Sequence, residues 1–119
     1  MTSVKQETTK TIYVDIDETV CSYEDPQTLE ERDYEKGSPI KENIDRINKL
    51  YDEGHTIVYW TARGAVTNKD WKSLTYAQLI CWGAKFHELK MGKPFYDLLI
   101  DDRTFNPEDW ENGKTHKFE

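Results

Sequence analysis

An α/β domain on a parallel sheet is the fold class this sequence predicts, and three observations predict it. Two runs rich in β-branched and aromatic residues, Thr11–Val14 and Thr56–Trp60, and a short apolar run, Asp97–Ile100, read as strands. Between them lie segments whose apolar residues recur at helical spacing. Each strand run ends in polar residues of kinds that carry chemistry. Strand, helix, strand, helix, strand in this order gives a three-layer parallel sheet with right-handed crossovers, and no internal repeat interrupts it.

The elements follow in order. Residues 1–10 are polar throughout and read as a frayed, flexible N-terminus without a signal-peptide pattern. Thr11–Val14 is the first strand. Residues 21–37, charged and containing Pro26, read as a long loop or small β flap over the strand end. Ser38-Pro39 supplies an N-cap and first-turn proline for a helix with Ile44, Ile47, Leu50 and Tyr51 on its core face, stopped at Gly54. Thr56–Trp60 is the second strand. A loop with Asn68 and Asp70 leads to a second helix bearing Leu74, Ala77, Ile80 and Cys81, with Gly83 as its stop. Lys85–Leu89 fits a short strand, Asp97–Ile100 a longer-range one, and Asn106-Pro107-Glu108-Asp109 opens a last helix. Most aromatic residues fit a core, whereas Trp71 and Trp110, in polar surroundings, suit an exposed interface and a homo-oligomer.

Composition bounds the function. The 119 residues fit a single domain, 1–119, with a real core but no second substrate domain. A net charge of −7 and a pI near 5.0 make extended nucleic acid an improbable partner and leave room for one short phosphorylated ligand. No apolar stretch approaches membrane-spanning length. Cys21 and Cys81 lack metal-ligand spacing, which favours free thiols in a reducing, cytoplasmic setting. His55 and His116 read as structural or solvated, and His87 as satisfied locally.

Polar groups at the strand ends would converge on one edge of the sheet, where open α/β sheets place ligands. They are Asp15 and Asp17 in Asp15-Ile16-Asp17-Glu18-Thr19, then Thr61, then Asp101 and Asp102, with Lys93 in Met91-Gly92-Lys93-Pro94. Two carboxylates one residue apart can share a divalent cation and divide nucleophile from acid, as one alone cannot. This set and order, from Thr11 to about Asp109, resemble the haloacid dehalogenase superfamily of phosphotransferases. That family's motifs are Asp-x-Asp-x-Thr, a strand-end Thr or Ser, a Lys and a terminal pair of acids.

The resemblance implies a Rossmann-like, capless fold with a short flap and a Mg²⁺-dependent phosphomonoester hydrolase acting through an aspartyl-phosphate. It assigns Asp15 as nucleophile, Asp17 as acid and base, and Thr61 and Lys93 as holders of the transferring phosphoryl group. Mg²⁺ would be held by Asp15, by Asp17 through its backbone carbonyl and by the Asp101-Asp102 pair, with Asp102 the direct ligand. Arg63 has two readings, a clamp for a second anionic group of the substrate or a partner of surface acids. Glu18 stands where many members have Gly.

Thr-Ala-Arg-Gly, Met-Gly-Lys-Pro and Leu-Leu-Ile-Asp-Asp-Arg are similar to small phosphatases of capsule or surface-polysaccharide synthesis, which implies a small sugar phosphate as substrate. Ile-Asp-Asp-Arg-Thr is also similar to the phosphatase half of polynucleotide kinase-phosphatases, so a nucleotide or a 3′-phosphate end is the enzymatic alternative. The non-enzymatic alternatives are a phosphoacceptor switch resembling response-regulator receivers and a metal-binding module. In receivers the acidic pair follows the first strand, whereas here Asp101-Asp102 comes last.

Overall fold

The computed structural model describes residues 9–24 and 32–119. The parts of the predicted N-terminus and flap at 1–8 and 25–31 lie outside them. Five strands and three helices are present among the described residues: β1 (Thr11–Val14), β2 (Cys21–Ser22), β3 (Ser38–Pro39), α1 (Lys41–Asp52), β4 (Thr56–Trp60), α2 (Lys72–Cys81), β5 (Glu88–Lys90) and α3 (Glu108–Glu111). A single 3₁₀ turn, Tyr34–Lys36, precedes β3.

The central sheet is parallel, in the order β1-β4-β5. Val14 pairs with Tyr59, and Trp60 with Lys90, so the C-terminal ends of the three strands lie side by side. Ile57, Val58 and Tyr59 are consecutive and all buried. Successive strand side chains point to opposite faces, so both faces of β4 are covered, as a parallel sheet requires. The core joins Val14, Ile16 and Val20 with Ile44, Ile47 and Leu50 of α1, Ile57 and Tyr59 of β4, Leu79 of α2, and Trp110.

Helix α1 follows the predicted Ile44-Ile47-Leu50 stripe, and Gly54, at φ +100, turns the chain beyond it. Its start differs from the expectation. Ser38-Pro39 does not cap it but pairs with Cys21-Ser22 as an antiparallel ribbon, so the two ends of the predicted flap are laced together. Proline is tolerated there because an edge strand needs no ladder donor at that position. In α2 the predicted face is also corrected. Ala77, Ile80 and Cys81 are exposed, and Thr75, Gln78 and Leu79 are buried instead. β5 begins at Glu88, three residues later than its predicted start.

The largest departure is at Asp97–Ile100, which forms no strand. Leu98 and Ile100 are 73 % and 89 % exposed. A four-residue run owes its strand character to a neighbour that accepts its ladder, and β1 pairs here only with β4. Apolar composition without a partner edge does not make a strand. β1 is consequently less buried than expected, with Tyr13 half exposed against the edge of Trp60.

Trp110, expected at the surface, is packed together with His116, Phe105 and Phe118. Arg46 of α1 lies over the Trp110 ring at 5.2 Å. His87 is satisfied locally, its Nδ1 accepting from the Ile57 amide while its ring stacks on Tyr51. No helix among the described residues is long and apolar enough to cross a membrane.

Candidate active site at the ends of β1 and β4

Beyond Val14 the chain wraps into a tight turn. The Ile16 carbonyl accepts from the amides of Thr19, Val20 and Cys21, and Glu18 donates to the Cys21 carbonyl. Closing this turn puts Glu18 at φ +62, a left-handed conformation that glycine adopts more readily than a residue with a side chain. Asn43 of α1 donates to the Thr19 carbonyl at 2.8 Å and anchors the turn. Asp15 and Asp17 flank the fully buried Ile16, so the core side chain between them fixes where both carboxylates stand.

Asp15 is paired with Lys93, whose Nζ stands 3.5 Å from Oδ1. The carboxylate is 40 % exposed and the ammonium 14 %, so the acid is the more open partner. Burial pushes the Asp15 carboxyl above the ordinary Asp range, and Lys93 and an Ile16 backbone hydrogen bond work against that rise. Lys93 is placed by its backbone, because its amide donates to the Thr61 carbonyl at 3.1 Å. The ammonium also lies over the Trp60 and Tyr96 rings at 5.9 and 5.5 Å. Thr61, 1 % exposed, accepts the Arg63 amide at its hydroxyl. Asp15, Lys93 and Thr61 are thus brought to one strand edge.

Arg63 is not an open clamp. Its side chain is 0 % exposed. Nε and Nη2 donate to Oδ2 and Oδ1 of Asp17 at 3.1 and 2.9 Å, and Nη1 donates to Thr75 and Gln78 at 3.0 and 2.6 Å. Nη2 also meets the Tyr23 hydroxyl at 3.5 Å, and the guanidinium lies 4.7 Å over the Tyr34 ring. A guanidinium has five N–H donors, and here each has an acceptor within the protein. None is left for a substrate anion, and the acid it pairs with is Asp17 of the site itself, not a surface residue. Burial alone would depress its pKa, but the bonds and charge of Asp17 outweigh burial and raise it.

Asp17 collects further donors at Oδ1, from the Tyr23 hydroxyl at 2.5 Å and the Cys21 thiol at 3.3 Å. Burial first, and then the neighbouring Asp17 charge, push the Cys21 thiol up to about 12, so it packs as a neutral, unreactive group. The Tyr23 phenol is raised by burial and by its bond to Asp17, which makes it a fixed donor across the accessible pH range.

Tyr23, Tyr34, Thr75 and Gln78 were missed by the sequence reading. The available signal was Thr75 and Gln78 at helical spacing beside Leu79, which becomes a buried polar face only once a buried cation needs acceptors.

Asp101 and Asp102 are exposed in a turn, with Asp101 Oδ1 accepting the Arg103 amide at 3.0 Å. They depend on the 97–100 segment for delivery to the sheet edge, and that segment is unpaired. Among the described residues no group of three or more His, Cys, Asp or Glu is gathered closely enough to hold a metal ion. The Arg63 pair engages the Asp17 carboxylate and not the backbone carbonyl assigned to Mg²⁺, and Asp15 faces an ammonium. The predicted side-chain ligands Asp15, Asp101 and Asp102 are not gathered at one point among the described residues.

The fold is similar to that of an MCSG target from Vibrio cholerae seen in a crystal structure. The two share 26 % identity over 85 % of this chain and 86 % of the other, with a TM-score of 0.70. No family model and no curated protein matches the chain. The α/β fold with a parallel sheet therefore stands on two legs, the element order and a solved neighbour.

Proposed function

We propose that the chain is a phosphomonoester hydrolase that works through an aspartyl-phosphate on Asp15, with a small phosphorylated metabolite such as a sugar phosphate as substrate. The observation that carries this reading is the Asp15–Lys93 pair: a half-open carboxylate beside a lysine 78 positions away, with a second carboxylate two residues on. Such an ammonium offsets repulsion between an attacking carboxylate and a phosphate dianion, which an isolated acid cannot overcome. Asp15 would displace the ester oxygen, Asp17 would supply its proton, and water would then open the acyl phosphate. Thr61 and Lys93 are the donors for the phosphoryl oxygens, and Arg63 is withdrawn from that set because its donors are used. The two free cysteines suit the cytoplasmic setting that goes with such a metabolite.

Mg²⁺ comes to this reading from the sequence resemblance alone. The test is a phosphomonoester panel assayed with Mg²⁺ and again with excess chelator, for wild type and Asp15→Asn. Turnover lost to background in Asp15→Asn with the circular dichroism spectrum unchanged is the expected result, and retained turnover would remove Asp15 from the reaction. Turnover unchanged by chelator would set the metal aside and leave the lysine as the charge that matters. Phosphate stably retained on Asp15 without turnover would favour the phosphoacceptor switch.

A further inference from the structure

We propose that Arg63 is a positioning residue that holds Asp17 for proton transfer and ties its placement to the flap through Tyr23 and Tyr34; this role rests on the phosphatase reading. Arg63 touches no position open to substrate, so any effect on the reaction passes through Asp17. The bidentate pair fixes the plane of the carboxylate, which a point charge such as lysine does not do.

The two oxygens of Asp17 are unequal. Among the described residues, Oδ1 takes Arg63 Nη2, Tyr23 and Cys21, while Oδ2 takes Arg63 Nε alone. Oδ2 is therefore the oxygen with a lone pair to spare. Oδ2 takes a proton delivered by the substrate's phosphate monoanion, passes it to the ester oxygen as the P–O bond breaks, and takes another from the water that opens the phosphoaspartate.

The same guanidinium reaches both ends of the flap. Tyr23 follows β2 and donates to Asp17 beside Arg63, while Tyr34, at the other end, stacks on the guanidinium. Gln78 closes the circuit, accepting from Arg63 through Oε1 and donating from Nε2 to the Tyr34 carbonyl at 2.7 Å. A displacement of either tyrosine changes what holds the acid.

The experiment compares wild type, Arg63→Lys and Tyr23→Phe on an aryl phosphate, whose leaving group needs little protonation, and an alkyl phosphate, whose leaving group needs it. In Arg63→Lys kcat on the alkyl ester should fall by about tenfold more than on the aryl ester, with KM unchanged. Tyr23→Phe, which keeps the ring and loses only the donor, should shift the ratio in the same direction by less. If Arg63→Lys fails to fold, Tyr23→Phe alone decides. An aryl-to-alkyl ratio equal to wild type in the folded variants would overturn the role while leaving the phosphatase reading in place. A wild-type protein inactive on every ester would remove both.

Discussion

At the scale of single residues, two buried side-chain polar atoms among the described residues have no hydrogen-bond partner, Arg32 Nε and the Tyr59 hydroxyl. Tyr59 is fully buried on β4, its ring packed edge-on to Phe86 at 5.7 Å, and its hydroxyl has no partner among the described residues. An unsatisfied buried hydroxyl retains its desolvation cost, whereas the ring supplies the packing. Tyr59→Phe should therefore stabilise the protein, by about 1 kcal/mol, in urea unfolding. A loss of that size would mean that the hydroxyl is bonded. The contrast with Arg63 shows what sequence can tell about a site. Asp15 and Asp17 were legible because a strand end followed by two acids is a local pattern. The fate of Arg63 was not, because whether a guanidinium faces solvent or the interior depends on acceptors at Thr75 and Gln78, supplied by another element. The same charge that reads as a substrate clamp on a strand end becomes internal scaffolding once a helix brings it two oxygens.

At the scale of elements, α1 and β4 were legible because their periods, 3.6 and continuous apolar, are unambiguous. Ser38-Pro39 misled because a cap and a strand edge favour the same residues, and the choice was made by its pairing with Cys21-Ser22. Asp97–Ile100 misled in the opposite sense, since composition proposes a strand and only a partner edge makes one. The loop from Thr61 to Trp71 was read only for its turn residues, yet it is closely specified. Gly64 has φ +84, and an added Cβ there would run into the Lys69 carbonyl oxygen. Its own carbonyl accepts from Asn68 at 2.7 Å, closing the loop directly after Arg63. Gly64→Ala should therefore cost at least about 1–2 kcal/mol from the left-handed backbone alone, with the clash added. Thermal unfolding measures it, and a change under 0.5 kcal/mol, the size expected of an indifferent surface site, would show that the loop can rearrange.

At the scale of the whole molecule, residues 105–119 act as a clasp on the sheet's far end. Phe118 lies against His55, which accepts the Lys10 amide just before β1, and Glu119 stands 3.6 Å from Arg46 of α1. Two groups of the clasp titrate in the same sense. Burial pushes His116 below the ordinary histidine range, although Glu119 pulls the other way. For Glu119 burial is again the largest influence and would raise the carboxyl. It is overcome by the Trp110 indole, the His116 amide, and the charges of His116 and Arg46, so the net shift is downward.

A folded pKa below the unfolded one means that the unfolded chain binds more protons in the interval between them, so stability there rises with pH. Each contribution is complete above the unfolded value, about 6.5 for His116 and 4.5 for Glu119, and is lost as pH falls toward the folded value. Acidification should therefore loosen the clasp in two steps, first below neutrality and then below the ordinary glutamate range. Urea midpoints measured from pH 7 to pH 3 check the order. Glu119→Gln should be less stable than wild type at pH 7, with the gap closing as pH falls through the lower window. A gap constant across that window would mean that the carboxylate charge does not hold the clasp, leaving the packing of Trp110 and Phe118 to hold it alone.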